Sequence, residues 1–305
     1  MKNNLLISFL AVLTVTGCES ETSFTKEKEE VQTSLEDFYS DNRSNAQSFS
    51  VPASSGGMTT TSGGIKIYFP GNGFVTKDGA LVNGDVSVNV KEVLTPYEMI
   101  FNNMPTMAGG LPLESGGEFQ INVTKNSQEL ILAPGKFLRI QMPKNNSANM
   151  NGMQVFNGVE DANGNVDWRV NTTPGNFVVG DSTLFAGSSL FSDNVGWINC
   201  DKFYNDPTVT FSVYPANAPS NDSTNVFVHL TGRNTVVKMS WTQGLSYFRS
   251  DKLLALPSTI IGISVKNGQL YASLTPVNVR DGESVTMNFS KYTEKQLKEK
   301  LKTLH

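Results

Sequence analysis

From Ile65 onward apolar residues recur at every second position, and that period constrains the fold more than any other feature of the chain. Ile65, Ile67 and Phe69 alternate with polar neighbours, as do Val86, Val88 and Val90. Phe119, Ile121 and Val123 repeat the pattern, followed by Leu138, Ile140 and Met142. Successive side chains of a strand point to opposite faces, so such runs build antiparallel sheets with one apolar and one polar face. Asp78-Gly79, Asn83-Gly84, Pro134-Gly135 and Asn163-Gly164 supply the turns between them. Past Asp206-Pro207 a second set begins with Val209, Phe211 and Val213, then Val226, Val228 and Leu230. Val237, Met239 and Trp241 follow, and Ile261, Ile263 and Val265 run into the hairpin signal Asn267-Gly268.

These runs predict an all-β chain of two antiparallel β-sandwich domains, over residues 58–204 and 205–290. The second is smaller and of immunoglobulin or fibronectin type. Residues 291–305 are expected to form a short amphipathic helix: Thr293 with Gln296 fits a capping box, and Leu297, Leu301 and Leu304 share one face.

The N-terminus has a different character. Lys2 is followed by an apolar stretch from Leu5 to Val15, too short to span a bilayer as a permanent helix. Leu13 and Val15-Thr16-Gly17-Cys18 resemble the bacterial lipobox, at which signal peptidase II cuts before an acylated cysteine. The resemblance implies that residues 1–17 are a removed signal peptide and that Cys18 carries lipid, with the membrane as its partner. One acyl chain holds only marginally, whereas several anchor firmly. Glu19, Ser20 and Glu21 resemble the surface-export signal of lipoproteins from gliding, polysaccharide-consuming Gram-negative bacteria, which implies the outer membrane and exposure at the cell surface. Residues 18–57 read as a tether: charge alternates from Lys26 to Glu30, then Ser, Asn and Gly become frequent. A short helix around Val31 to Tyr39 fits inside it.

Composition narrows the chemistry. The chain holds 24 Lys and Arg against 28 Asp and Glu and has no basic tract, which argues against nucleic acid as a partner. Two His and two Cys leave little material for a zinc site or an activated thiol. With Cys18 acylated, Cys200 is alone and reads as a small buried hydrophobe. No phosphate loop, nucleophile elbow, zincin helix or dinucleotide fingerprint is present, so no catalytic residue, metal or cofactor is assigned.

Gly63-Gly64-Ile65 leading into Phe69-Pro70-Gly71-Asn72-Gly73-Phe74, then Gly84-Asp85-Val86-Ser87-Val88, resembles the ZU-type β-sandwich of ankyrins and netrin receptors. Glu114-Ser115-Gly116-Gly117-Glu118-Phe119 and Leu138-Arg139-Ile140-Gln141-Met142-Pro143 continue the similarity over roughly residues 58–143. Gly196-Trp197-Ile198-Asn199-Cys200-Asp201 is similar to a segment of bacterial surface lipoproteins with the same pattern. The resemblance implies contact between macromolecules rather than catalysis.

Smaller patterns remain. Asp161, Asn163, Asn165 and Asp167 alternate like calcium-loop ligands, but Gly164 stands at the wrong position and no glutamate closes the set, so a hairpin turn explains them better. His229-Leu230-Thr231 matches a tripeptide at which some adhesion-receptor and ZU-associated modules cleave themselves, although a half-exposed strand histidine accounts for it. Ser182 and Ser223, each in an Asp-Ser-Thr triplet, resemble acceptors of bacterial O-glycosylation. Trp168, Trp197 and Trp241 are expected in the core. The whole reads as a membrane-anchored surface lipoprotein, a non-catalytic binding or structural module of the envelope with a protein or glycan partner. The alternative is a polysaccharide-binding or polysaccharide-cleaving accessory lipoprotein, for which an acidic pair facing a long cleft would be the mark of cleavage.

Overall fold

Residues 34–143, 152–160, 166–172, 177–179, 183–186, 196–218 and 223–304 are described by a computed structural model. The alternating runs form four principal sheets. Sheet I orders the strands Phe177–Val179, Thr183–Ala186, Arg139–Pro143, Lys66–Phe69 and Gly57–Thr60. Sheet II orders Gln47–Pro52, Asp85–Val93, Leu111–Lys125, Trp197–Phe203, Gln154–Glu160 and Val166–Val170. Sheet III holds Val236–Lys238, Thr224–Leu230, Pro257–Lys266, Gln269–Asn278 and Ser290–Lys291, and sheet IV holds Ser240–Thr242, Tyr247–Leu254, Thr208–Pro215 and Ser284–Met287. The chain is thus all-β and its ladders antiparallel, with one exception among these sheets: Thr208–Pro215 pairs in parallel with Ser284–Met287.

Sheets I and II close on a core containing Ile65, Ile67, Val88, Phe119, Ile140 and Val155. Sheets III and IV close on a second, around Phe211, Val213, Val226, Val228, Phe248 and Met287. A third core joins sheet II to sheet III and departs from the expected one-sided pattern. Phe156, Trp168 and Trp197 come to it from sheet II, while Phe227, Ile261 and Ile263 come from sheet III. The strands Thr224–Leu230 and Pro257–Lys266 are therefore buried on both faces, which makes sheet III an interior layer.

Three short helices fill the same seam: α1 (Leu35–Asn42), α2 (Pro96–Phe101) and α3 (Glu294–Leu301). Each begins at a hydroxyl N-cap that satisfies a free backbone amide, through Ser34, Thr95 and Thr293 respectively. In α2 and α3 the caps are full capping boxes, closed by Glu98 and Gln296. Helix α3 buries Leu297 and Leu301 as its spacing predicts. It meets α2 as well as strand, and Lys298 lies 6.0 Å from the Phe101 ring.

The composition of residues 18–57 predicts a tether, and the structure corrects the part from Ser34 onward. Phe38 and Tyr39 of α1 are fully buried in the seam, and the Asn225 amide donates to the Tyr39 hydroxyl at 3.0 Å. Gln47–Pro52 pairs over its whole length with Asp85–Val93. Two aromatics with a cap are enough to hold a helix that its otherwise charged sequence would leave marginal.

Candidate functional site

Carboxyl groups distant in sequence meet where the strands Leu111–Lys125 and Trp197–Phe203 pair. Asn199 stands opposite Glu118, and Asp201 opposite Ser115. The register shifts between Asn199 and Asp201. Gly117 permits that bulge, since its φ of 128° lies in the region that favours glycine. Glu114, Ser115, Glu118, Asn199 and Asp201 are all at most 1% exposed, so solvent does not reach them.

Asn199 organises the cluster. Its amide nitrogen donates to Asp201 Oδ2 at 2.5 Å and to Glu118 Oε1 at 3.4 Å, while its oxygen accepts from Ser115 Oγ at 3.1 Å. Glu118 Oε2 has no hydrogen-bond partner. Burial, and then the neighbouring Asp201 charge, push the Glu118 carboxyl well above the usual carboxylate range. Burial likewise pushes Asp201 well up, against hydrogen bonds from Ser115, Asn199 and the Gly116 backbone that pull the other way. Both shifts favour the protonated form of the pair. Glu114 differs, because Lys202 lies 3.1 Å and Arg233 3.7 Å from its carboxylate.

The turn before strand Val236–Lys238 seals the cluster. The Asn234 amide donates to Ser115 O at 2.9 Å and Leu94 O at 3.1 Å, and Ser115 N donates back to Asn234 O at 3.0 Å. Thr235 Oγ1 donates to Leu113 O at 2.9 Å, and the Tyr204 hydroxyl lies 2.8 Å from that Oγ1. Burial pushes the Tyr204 phenol up to about 12. A carboxyl pair of this kind can tune stability with pH, but it faces a packed turn rather than a cleft.

The residues singled out from sequence do not converge on this cluster. Cys18, Ser182 and three of the alternating polar residues (Asp161, Asn163, Asn165) lie outside the described residues. Asp167 is exposed, 3.8 Å from Arg169. Ser223 is half-buried immediately before a strand, its carbonyl accepting from Val265 N at 3.2 Å, and the adjacent Thr224 is buried and donates to Ser264 Oγ. Cys200 is a buried free thiol on the apolar side of sheet II, and burial pushes it up. His229, expected to be half-exposed, is 1% exposed because sheet III is covered on both sides, and its Nε2 lies 3.1 Å from Arg233 O. Trp168 and Trp197 are core residues, and Trp241 packs partly exposed against Phe248.

Asp201 lies far in sequence from Glu114 and Glu118, and the three match no catalytic spacing, so the acid cluster is not legible as a motif. The available signal was a polar residue at positions where a strand is otherwise apolar on both sides, as in Trp197-Ile198-Asn199-Cys200-Asp201. Among the described residues no three His, Cys, Asp or Glu side chains are grouped to hold a metal ion. Elsewhere a shallow groove of about 470 Å³ with a mixed polar and apolar lining runs past Ser48–Ser50, Asp85–Ser87 and Thr124–Asn126. Comparison with protein-family models gives no match to this chain, and comparison with curated proteins gives none either.

Proposed function

We propose that this protein is a lipid-anchored lipoprotein of the outer membrane, exposed at the cell surface, that binds or displays a partner without catalysing a reaction. The sequence Leu13 to Cys18 supports the anchor, and Glu19 and Glu21 support the surface. The observation that carries the non-catalytic reading is the enclosure of Glu118 and Asp201. Glycosidic cleavage needs two carboxyls on either side of a substrate bond, and these two are fully buried, on a strand whose Leu113 and Ser115 carbonyls are bonded by Thr235 and Asn234. A ZU-type character for the first sandwich belongs to the same proposal, through the turn glycines quoted above.

Anchoring is tested by Cys18→Ser, which removes the acylated atom. The variant is expected to lose palmitate labelling and to leave the membrane fraction; continued labelling and membrane attachment would refute the anchor. Pull-down of the full chain from intact outer membranes tests the binding role. Hydrolysis of a polysaccharide by the purified chain, abolished by Glu118→Gln, would overturn the non-catalytic reading.

A further inference from the structure

The outer face of sheet IV is the second place where side chains converge, and it is open. Phe211, Val213, Phe248 and Met287 point into the core, so the residues alternating with them point out. Tyr214 and Tyr247 meet there from neighbouring strands, ring centroids 5.2 Å apart and planes tilted by 58°. Tyr214 is 41% exposed, a large value for an aromatic ring in a strand. Thr242 lies opposite Tyr247, and Thr286 opposite Tyr214, so a hydroxyl flanks the ring pair on each side. In the adjacent row Arg249 stands between Ser240 and Ser212.

Charge on this face is internally matched. Arg249 Nε donates to Asp251 Oδ1 at 2.6 Å, and that bond holds the Asp251 carboxyl below its ordinary range. The paired guanidinium offers little to an anionic ligand. Short hydroxyl side chains around two rings also make a poor anchor for a protein partner, whose contact needs a broader apolar centre. Hydroxyls that both donate and accept, set around one exposed and one half-buried ring, suit a ligand with C–H faces and hydroxyls of its own and no charge.

We infer that the outer face of sheet IV binds a neutral polysaccharide, with Tyr214 and Tyr247 stacking on sugar rings and Thr242, Thr286 and Ser212 exchanging hydrogen bonds with sugar hydroxyls. The inference rests on the binding role proposed above and names its ligand class.

Native electrophoresis of the full chain through gels containing mannan, β-1,3-glucan, starch or the anionic polysaccharide alginate tests it. Retardation by at least one neutral polysaccharide and not by alginate is expected. Tyr214→Ala with Tyr247→Ala is expected to weaken that retardation about tenfold, the scale of a lost aromatic contact, while Tyr214→Phe keeps it. Thr286→Arg, a change on the exposed face that leaves the core alone, is expected to weaken it as well. No retardation in any neutral gel, or retardation that survives both the double variant and Thr286→Arg, overturns the inference. If the chain then still captures an envelope protein, the binding role stands without the glycan; if it captures neither, both readings fall.

Discussion

Glu118 is buried beside the Asp201 carboxyl and its second oxygen has no partner, so burial and that neighbouring charge disfavour its charged form, against one long bond from the Asn199 amide. Its folded pKa lies well above the unfolded value of about 4.3. The stability it contributes is complete below the unfolded value and is lost as pH rises through the folded one. Asp201 acts in the same sense. The melting temperature is therefore expected to fall as pH rises from the unfolded carboxylate value through the raised folded one. Glu118→Gln, which keeps the shape but has no proton to lose, should flatten that slope, by up to about 1.4 kcal/mol per pH unit for one proton. Equal slopes for wild type and variant would show that Glu118 is not the titrating group. Asn199→Ala should cost about 1–3 kcal/mol at any pH in thermal unfolding, because it removes the amide shared by both carboxyls. None of this was visible residue by residue: Glu118 and Asn199 are 81 positions apart, and only pairing across a glycine bulge brings them together.

At the scale of elements, legibility followed the source of stability. Strands that alternate, such as Asp85–Val93, declare themselves, because period and burial coincide. Helix α3 was equally plain, having both a capping box and aligned leucines. Helix α2 carries the same cap in Thr95-Pro96-Tyr97-Glu98, but at six residues it is too short to show a period. Helix α1 reads from sequence as a short helix inside a tether, since the aromatic contacts that dock it are made far away in sequence. Leu301→Ala in α3 should lower stability by about 2–5 kcal/mol, the usual cost of truncating a buried leucine. Lys298→Ala should change it by less than about 1 kcal/mol, since the Lys298–Glu294 pair is partly exposed and one turn apart. Two equal melting curves would mean that α3 is not docked in solution.

At the scale of the whole molecule, the described residues from Ser34 onward are joined by the seam as well as by the two sandwich cores. Val31–His305 forms one compact unit, and the third core draws side chains from sheets II and III and all three helices. The two sandwiches are expected to unfold in a single calorimetric transition. Two transitions that respond separately to Leu301→Ala and to a core change such as Val88→Ala would contradict that coupling. Sequence alone separated the sandwiches at the turn near Asp206-Pro207 and gave no sign of their fusion, because residues such as Phe227 and Ile261 look like ordinary strand interior.

Helix α1 gives the seam a mechanical property. Any tension carried by the chain upstream of Ser34 enters the fold through these eight residues, before it reaches the paired strand Gln47–Pro52. Extraction of Phe38 and Tyr39, with loss of the two Ser44–Asn102 hydrogen bonds, would free the segment up to Gln47, and each freed residue adds at most about 3.3–3.6 Å of reach. Tension applied from upstream of Ser34 would thus be met first by a lengthening of this segment, with the sheets still intact.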